Sequence, residues 1–236
     1  GPSSSFGLLI KYVIKEKTAL GFSRLYMMLC DQDDIWIEEK LEIQMLEMLN
    51  AERKSPDAPV IVHSDLKVVD ESKKVIAESF VEYQGLEIKR NKFPNIVISN
   101  LVTGCTTLFN EELAQIALPI PDNAIMHDWW LALTASVFGQ AIFIDMPLVE
   151  YRQHKNNTIG AKEFTKTQIY SHKWFRFLTL SVSTHLVDVA EQASEFQRRF
   201  GKTLGFKNNF FLKIVIMMKL RLGGFQRLFY RIARLF

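Results

Sequence analysis

Short apolar runs alternate with amphipathic stretches through residues 1–161, and this alternation limits the folds open to the chain. Continuous apolar runs lie at 25–30, 60–63 and 141–144, whereas Glu38–Arg53 places its apolar residues at helical spacing. Strands that alternate with helices predict an α/β body. A continuous apolar run is typical of a buried strand in a parallel sheet. Residues 162–236 show helical patterns only and predict a C-terminal helical appendage.

Charge is divided unequally between the two parts of the chain. Residues 1–195 contain 19 basic and 26 acidic residues, a net charge of −7. The last 41 residues contain ten basic residues and no acidic one, so the overall charge of +3 hides a basic tail. Such a division predicts that the two parts have different tasks.

The run at 25–30 leads directly into three aspartates, Asp31, Asp33 and Asp34. Along an extended chain Asp31 and Asp33 project to the same side. Two carboxylates at a strand end suit a hard divalent cation that also binds phosphates. The alternative is a helix cap, because Asp34 precedes the amphipathic segment and aspartate is a good N-cap residue.

Two other segments place polar side chains near ends of predicted elements. His127 and Asp128 open a predicted helix, where the helix dipole favours an ionised carboxylate that could act as a general base. His154 follows the run at 141–144 and is a candidate metal or phosphate ligand. Gly104 would allow close approach of a ligand to the backbone, and its alternative is a β-bulge.

Several function classes are excluded by the absence of their motifs. The sequence has no G-x-x-x-x-G-K-[ST] phosphate loop, no G-x-G-x-x-G fingerprint and no G-x-S-x-G elbow.

The two cysteines, Cys30 and Cys105, lie in apolar segments far apart and predict reduced core thiols. No apolar run approaches the roughly 18 residues that a membrane span needs, and we expect a cytoplasmic protein.

Five segments in this order resemble family 2 glycosyltransferases, which have the GT-A fold. They are LCDQDDIW, VHSDLKVVDE, TGCTTLFN, PIPDNAIMHDWWLAL and YRQHKNNTIGA, within residues 1–161. More narrowly, they are similar to the rhamnosyltransferase-like branch that builds bacterial cell-surface polysaccharides. The resemblance implies a Rossmann-like mixed sheet flanked by helices, and sugar transfer from a nucleotide donor with inversion, with dTDP-rhamnose as the expected donor.

The resemblance also implies roles for individual residues. Asp31 and Asp33 match the family's D-x-D motif, which holds Mg²⁺ or Mn²⁺ against the donor diphosphate, and His154 matches a further metal or diphosphate contact. Asp128 matches the catalytic base. Gly104 and Arg152 would bind the donor. The expected acceptor-binding residues are Cys105, His127, Trp129 and Trp130.

The family's fold begins with two βα units that bind the nucleotide, and the sequence shows no counterpart of them. A βα repeat takes about 30 residues, so the resemblance predicts a catalytic body, residues 1–161, that lacks roughly 60 residues at its N-terminus. Two alternatives remain open at this point. They are a truncated domain that only binds a membrane or a partner, and a metal-dependent phosphoryl-transfer enzyme.

The basic tail predicts attachment to a membrane surface. Arg227, Arg231 and Arg234 recur at helical spacing beside Phe and Leu residues, and Lys213, Lys219 and Arg221 flank another apolar helix. Basic and apolar residues in this arrangement are typical of a helix on anionic lipid. The alternative is a helix that docks on the body with its arginines in solvent. We expect a peripheral protein at the inner face of the plasma membrane, with a glycan or polyprenyl-diphosphate-linked acceptor. No stacking platform or recognition motif indicates nucleic acid.

Overall fold

A mixed β-sheet runs through the N-terminal part of the protein. The structure is a computed structural model that describes residues 2–154 and 181–236. The strands of its described part are β1 (Tyr26–Met28), β2 (Ile35–Trp36), β3 (Val60–Val69), β4 (Val75–Ala77), β5 (Thr107–Asn110) and β6 (Gln140–Arg152). Their order across the sheet is β1-β5-β3-β6-β2, and β4 pairs with β3.

The pairing is parallel between β3 and β6 and antiparallel between the other neighbouring strands described. The apolar run at 25–30 predicts a buried parallel strand, and this prediction is wrong in two respects. The strand covers three half-buried residues and pairs antiparallel with β5. The most buried members of the run, Leu25 and Leu29, flank the strand instead of lying in it, so the apolar run carried no information on strand direction.

Helices cover both the N-terminal part and the C-terminal region. They are α1 (Pro2–Glu16), α2 (Lys40–Lys54), α3 (Phe80–Gln84), α4 (Phe93–Ile98), α5 (Glu111–Ala117), α6 (His127–Phe138), α7 (Thr184–Phe200), α8 (Phe206–Ile216) and α9 (Gly223–Ala233). Short 3-10 turns cover Ile88–Arg90, Gly104–Thr106 and Met217–Leu220. The predicted α/β class is confirmed, and a mixed sheet flanked by helices is compatible with a Rossmann-like fold.

Helix α6 is the centre of the main hydrophobic core. Its residues from His127 to Ala135 are all buried, which explains the sequence HDWWLALTA, apolar on nearly every face. The ring of Trp130 lies 5.4 Å from that of Phe196 and 6.2 Å from that of Phe200, both on α7. Helices α7–α9 therefore share one core with the sheet-bearing part instead of standing apart from it.

Two arginines attach the C-terminal helices to the rest of the protein. The guanidinium of Arg199 donates to the carbonyl groups of Ile116 at 2.7 Å, Ala117 at 3.1 Å and Pro119 at 2.7 Å, and also to that of Leu118. Arg234 pairs with Glu87 at 3.1 Å. Among the helices that the structure describes, none is both long and apolar enough to cross a membrane.

The boundary predicted between residues 161 and 162 lies outside the described residues, as does the loop after His154. The GT-A assignment and the missing N-terminal units stay predictions.

Candidate functional site

The polar residues singled out from the sequence come from separate segments and meet near the turn between β1 and β2. Asp31, Asp33 and Asp34 lie in that turn, Arg152 ends β6, and His154 follows it. The 3-10 turn Gly104–Thr106 precedes β5, and Asp128 opens α6.

Asp33 and His154 are in direct contact. The Asp33 Oδ2 atom lies 2.5 Å from His154 Nε2, across 121 positions of the sequence, and both side chains are partly exposed. The pairing depends on antiparallel β2 and β6, in which Ile35 faces Glu150 and Trp36 faces Val149. The sheet thus joins two residues that the sequence nominates separately as metal ligands.

Asp31 lies with Asp34 and Cys105 in a second cluster. One ligand atom from each of these three residues lies within 4.8 Å of the others. Burial raises the pKa of Asp31, and repulsion from Asp33 raises it further. The three aspartates therefore concentrate negative charge in one half-buried turn.

The alternative interpretation, in which Asp34 caps the next helix, is wrong. The chain turns at Gln32 and Asp33 and then forms β2, and α2 begins only at Lys40. The Oδ1 atom of Asp34 instead accepts a hydrogen bond from the Arg152 backbone N–H at 3.2 Å. Burial raises the pKa of Asp34 to about 6, although the nearby Cys105 thiol and the Arg152 N–H favour its ionised form. The turn also means that Asp31 and Asp33 do not lie along an extended chain.

Asp128 is a buried carboxylate held by three hydrogen-bond donors. Its Oδ2 atom accepts from the Gly104 N–H at 2.8 Å. Its Oδ1 atom accepts from the Asn100 side chain at 3.2 Å and from the Trp129 N–H at 2.5 Å. Burial raises the pKa of Asp128 to about 6, the hydrogen bonds oppose that rise, and the charge of Asp31 adds to it. A carboxylate with this pKa is ionised at neutral pH and remains basic enough to accept a proton.

The backbone of Gly104 lies close to two side chains of the site. A Cβ atom at this position would be 3.3 Å from His127 Nε2 and 3.5 Å from Asp128 Oδ2, so a larger residue would need a small shift of the His127 ring. The donor contact of Gly104 stays a prediction. No β-bulge is formed there, because Gly104 begins the 3-10 turn.

His127 and Cys105 lie in the same region as Asp128 and Gly104, and both side chains are uncharged. Burial lowers the pKa of His127 to about 4, and its ring lies 4.3 Å from that of Phe6. Its Nδ1 atom is buried and has no hydrogen-bond partner among the described residues. Burial raises the pKa of the Cys105 thiol well above its ordinary value, and the negative charge of Asp34 adds to this. Cys105 is therefore a neutral thiol, which does not suit a nucleophile.

The two tryptophans after Asp128 lie in the core. The indole N–H of Trp129 donates to the Ile96 carbonyl at 2.5 Å, and that of Trp130 donates to the Ala117 carbonyl at 2.9 Å. Trp129 is 3% exposed and Trp130 is fully buried. These contacts show that both indoles pack in the core, where neither of them needs an acceptor as a partner.

Three residues beside the site have no obvious signal in the sequence. Asn100 orients Asp128, and Gln44 donates to the Thr106 carbonyl at 2.6 Å and so holds the 3-10 turn. Lys40 is fully buried, and its Nζ atom lies 3.7 Å from the centroid of the Trp36 ring. Burial lowers the pKa of Lys40 to about 8. The only hint in the sequence was the position of Lys40 four residues after Trp36, at a helix start.

The donor set fits a divalent cation of the hard or borderline type. Carboxylate oxygens suit Mg²⁺ and Mn²⁺, and an imidazole nitrogen also suits Mn²⁺. The mutual repulsion of Asp31 and Asp33 is the kind of charge concentration that a cation relieves. The contact between Asp33 and His154 shows that the imidazole reaches the carboxylate cluster.

The residues predicted to face a membrane lie in α8, α9 and the turn between them. Lys213, Lys219, Arg221, Arg227 and Arg231 are all exposed. Arg234 is exposed as well, but it pairs with Glu87.

The chain is 27% identical over 180 residues to the dTDP-rhamnosyl transferase RfbG of Shigella flexneri. The match covers 69% of the chain and 56% of the relative, so the chain matches only about half of the relative's length. No family model matches the chain, and no solved structure matches it. The similarity supports a glycosyltransferase relationship.

Proposed function

We propose that the chain carries the catalytic site of an inverting, metal-dependent glycosyltransferase. The reaction moves a sugar from a nucleotide donor to a glycan or lipid-linked acceptor of a cell-surface polysaccharide. The observation that carries this proposal is the buried, hydrogen-bonded carboxylate of Asp128, whose pKa is raised by the charge of Asp31, together with the contact between Asp33 and His154 at the turn that contains Asp31. The relative described above is a dTDP-rhamnosyl transferase, which makes dTDP-rhamnose the first donor to test.

The base of the reaction is the Asp128 carboxylate. It accepts the proton of an acceptor hydroxyl while the hydroxyl oxygen attacks the anomeric carbon of the donor sugar. The bond from that carbon to the nucleoside diphosphate breaks in the same displacement, so the configuration is inverted. The N–H groups of Gly104 and Trp129 hold the carboxylate in place, and a fixed base reacts without a cost for orienting itself.

Donor binding is assigned to the turn between β1 and β2 and to the end of β6. Asp31, Asp33 and His154 would hold Mg²⁺ or Mn²⁺. When bound, the ion neutralises charge on the departing diphosphate. Arg152 supplies a positive charge at the end of β6, and Gly104 leaves room beside Asp128. His127 and Cys105, both uncharged, contact the acceptor in this proposal.

The proposal is tested by titration calorimetry with dTDP, in the presence and absence of Mn²⁺. Because the chain matches about half the length of its relative, the same titration is done on the longest natural chain that contains these residues. We expect binding of dTDP that depends on Mn²⁺ and is weakened at least tenfold by Asp33→Asn. Asp145→Asn is the matched control, because Asp145 is an exposed aspartate outside the site. The assignment would be refuted if the longer chain bound dTDP equally well with and without Mn²⁺, and if its Asp33→Asn variant bound dTDP as tightly as the wild type.

A further inference from the structure

The C-terminal region exposes apolar side chains that the fold leaves uncovered. We name the exposed side chains of residues 206–236 the tail surface. Phe206 is 87% exposed, Leu220 50%, Leu222 55% and Leu228 41%. Phe206, Phe210, Lys213 and Met217 follow at spacings of four, three and four, so they form one exposed stripe along α8. Apolar patches of this kind mark interaction sites on folded proteins.

The same surface carries positive charge that is largely unpaired among the residues that the structure describes. Residues 196–236 contain no aspartate or glutamate. In the described part of the chain, Arg234 has an ion-pair partner, Glu87, and Arg198 pairs with Glu195. Lys213, Lys219, Arg221, Arg227 and Arg231 form no ion pair with any residue that the structure describes. Their charges are available to an external partner.

Helix α9 shows how the two features are combined. Its inner side is anchored, because Gln226 is buried and donates to the Met218 carbonyl at 3.0 Å, and Arg90 donates to the Arg234 carbonyl at 2.8 Å. At 100° per residue, Arg227 and Arg231 lie on one side of the outer face and Leu228 lies beside them, and the exposed Leu235 follows in the turn after α9. The helix therefore presents a basic stripe next to an apolar stripe on a docked scaffold.

The turn between α8 and α9 repeats this pairing over consecutive residues. Lys219, Leu220, Arg221 and Leu222 alternate charged and aliphatic side chains, and all four are exposed. A phosphate-rich surface alone would attract the cations but would give the leucines no favourable environment. The boundary between lipid headgroups and acyl chains provides both, because cations meet phosphates there and aliphatic side chains leave water.

We propose that the tail surface docks on an anionic lipid bilayer. Lys219, Arg221, Arg227 and Arg231 contact headgroup phosphates, and Leu220, Leu222 and Leu228 enter the acyl boundary. This inference does not depend on sugar transfer, because none of these residues belongs to the site described above.

The test is flotation of the full chain with vesicles of phosphatidylglycerol and phosphatidylcholine, compared with vesicles of phosphatidylcholine alone. The main variant is Arg227→Gln with Arg231→Gln. The control is Lys73→Gln with Lys74→Gln, which removes two exposed charges from the turn between β3 and β4. A basic residue near an anionic surface changes the partition coefficient about fivefold, so the main variant should lose roughly 30-fold. The control should lose less than about twofold.

A second variant, Leu220→Ser with Leu222→Ser, separates lipid insertion from charge attraction alone. We expect its partition coefficient to fall at least tenfold without any change in the net charge of the chain. Circular dichroism of each variant confirms that it is folded before flotation. The proposal is overturned by equal binding to neutral vesicles, by equal losses in the main variant and the control, or by full binding of the leucine variant. The last result, together with equally tight binding to single-stranded RNA, would identify a general polyanion surface.

Discussion

Replacing Asp128 by asparagine should lower the rate of transfer at least about 100-fold without destabilising the protein at neutral pH. The carboxylate is buried, and its pKa is about 6 instead of the ordinary 3.8. Each pKa unit corresponds to about 1.4 kcal/mol, so ionised Asp128 costs about 3 kcal/mol of folding free energy. The neutral amide of the asparagine avoids that cost, but its NH₂ group must face the N–H of Gly104 or of Trp129.

An unsatisfied buried donor costs about 1–3 kcal/mol, so the two effects nearly cancel or leave a small gain. The folded pKa of Asp128 lies above its unfolded value, so its ionisation destabilises the fold as pH rises from about 4 to 6. The stability of Asp128→Asn relative to the wild type should therefore be lowest near pH 4 and should rise to a plateau above pH 6. Thermal unfolding at pH 4 and at pH 7.5 measures this difference.

Loss of a general base lowers a rate about 10²–10⁴-fold. We expect this loss in the release of dTDP from dTDP-rhamnose at pH 7.5, and a wild-type rate that rises with pH around pH 6 as Asp128 ionises. Two results would refute the reasoning: transfer by Asp128→Asn at the wild-type rate, or a melting temperature at pH 7.5 that falls by as much as at pH 4. The first result would show that Asp128 is not the base. The second would show that ionised Asp128 costs no folding free energy through its burial.

Three further predictions concern the surroundings of the site and the docking of the C-terminal helices. Lys40→Met should stabilise the protein by roughly 1–3 kcal/mol at pH 7, because it removes a buried ammonium without a hydrogen-bond partner among the described residues. That gain should shrink between pH 8 and 10.5, because the wild-type lysine loses its charge first in the folded and then in the unfolded state. Urea unfolding at several pH values measures the gain, and a gain that does not change with pH would contradict the burial of a charge. Arg199→Ala should cost about 2 kcal/mol and lower the melting temperature by about 4–8 °C, because it removes the donor for carbonyl groups at the end of α5 and just after it. Arg198→Ala, at the exposed neighbouring position, should change stability by less than about 0.5 kcal/mol, and equal losses from both arginines would show that the carbonyl contacts do not matter. Asn100→Ala should lower transfer but not dTDP affinity, because Asn100 contacts Asp128 and none of the proposed metal ligands; weaker dTDP binding in calorimetry would contradict this separation.

The sequence predicts the α/β class and the helix that Asp128 opens because both depend on local patterns. Apolar periodicity and a glycine after Phe138 place α6 within one residue of its observed start. The direction of β1 was not predictable in this way, because parallel and antiparallel strands bury similar apolar runs. The alternative that Asp34 caps a helix fails for a related reason. A good capping residue indicates a helix start only when the chain continues directly into the helix, and here β2 intervenes.

Sequence patterns also could not identify residues whose role depends on partners that are distant in the sequence. The contact of Asp33 with His154 spans 121 positions and exists because β2 pairs with β6. Lys40 looks like an ordinary charged residue at a helix start, and only the packing against Trp36 buries it. The resemblance implied that Trp129 and Trp130 bind the acceptor, whereas the core that α6 shares with α4, α5 and α7 encloses them.

The central claim is that this site releases a nucleoside diphosphate from a nucleotide sugar with the help of a divalent cation. Its most direct test is the release of dTDP from dTDP-rhamnose by the longest natural chain that contains these residues, with Mn²⁺ and with chelator. We predict release that requires Mn²⁺ and that falls at least about 100-fold in Asp33→Asn and in Asp128→Asn, while Asp145→Asn keeps the wild-type rate. Release at the same rate with chelator, or in both site variants, would contradict the account.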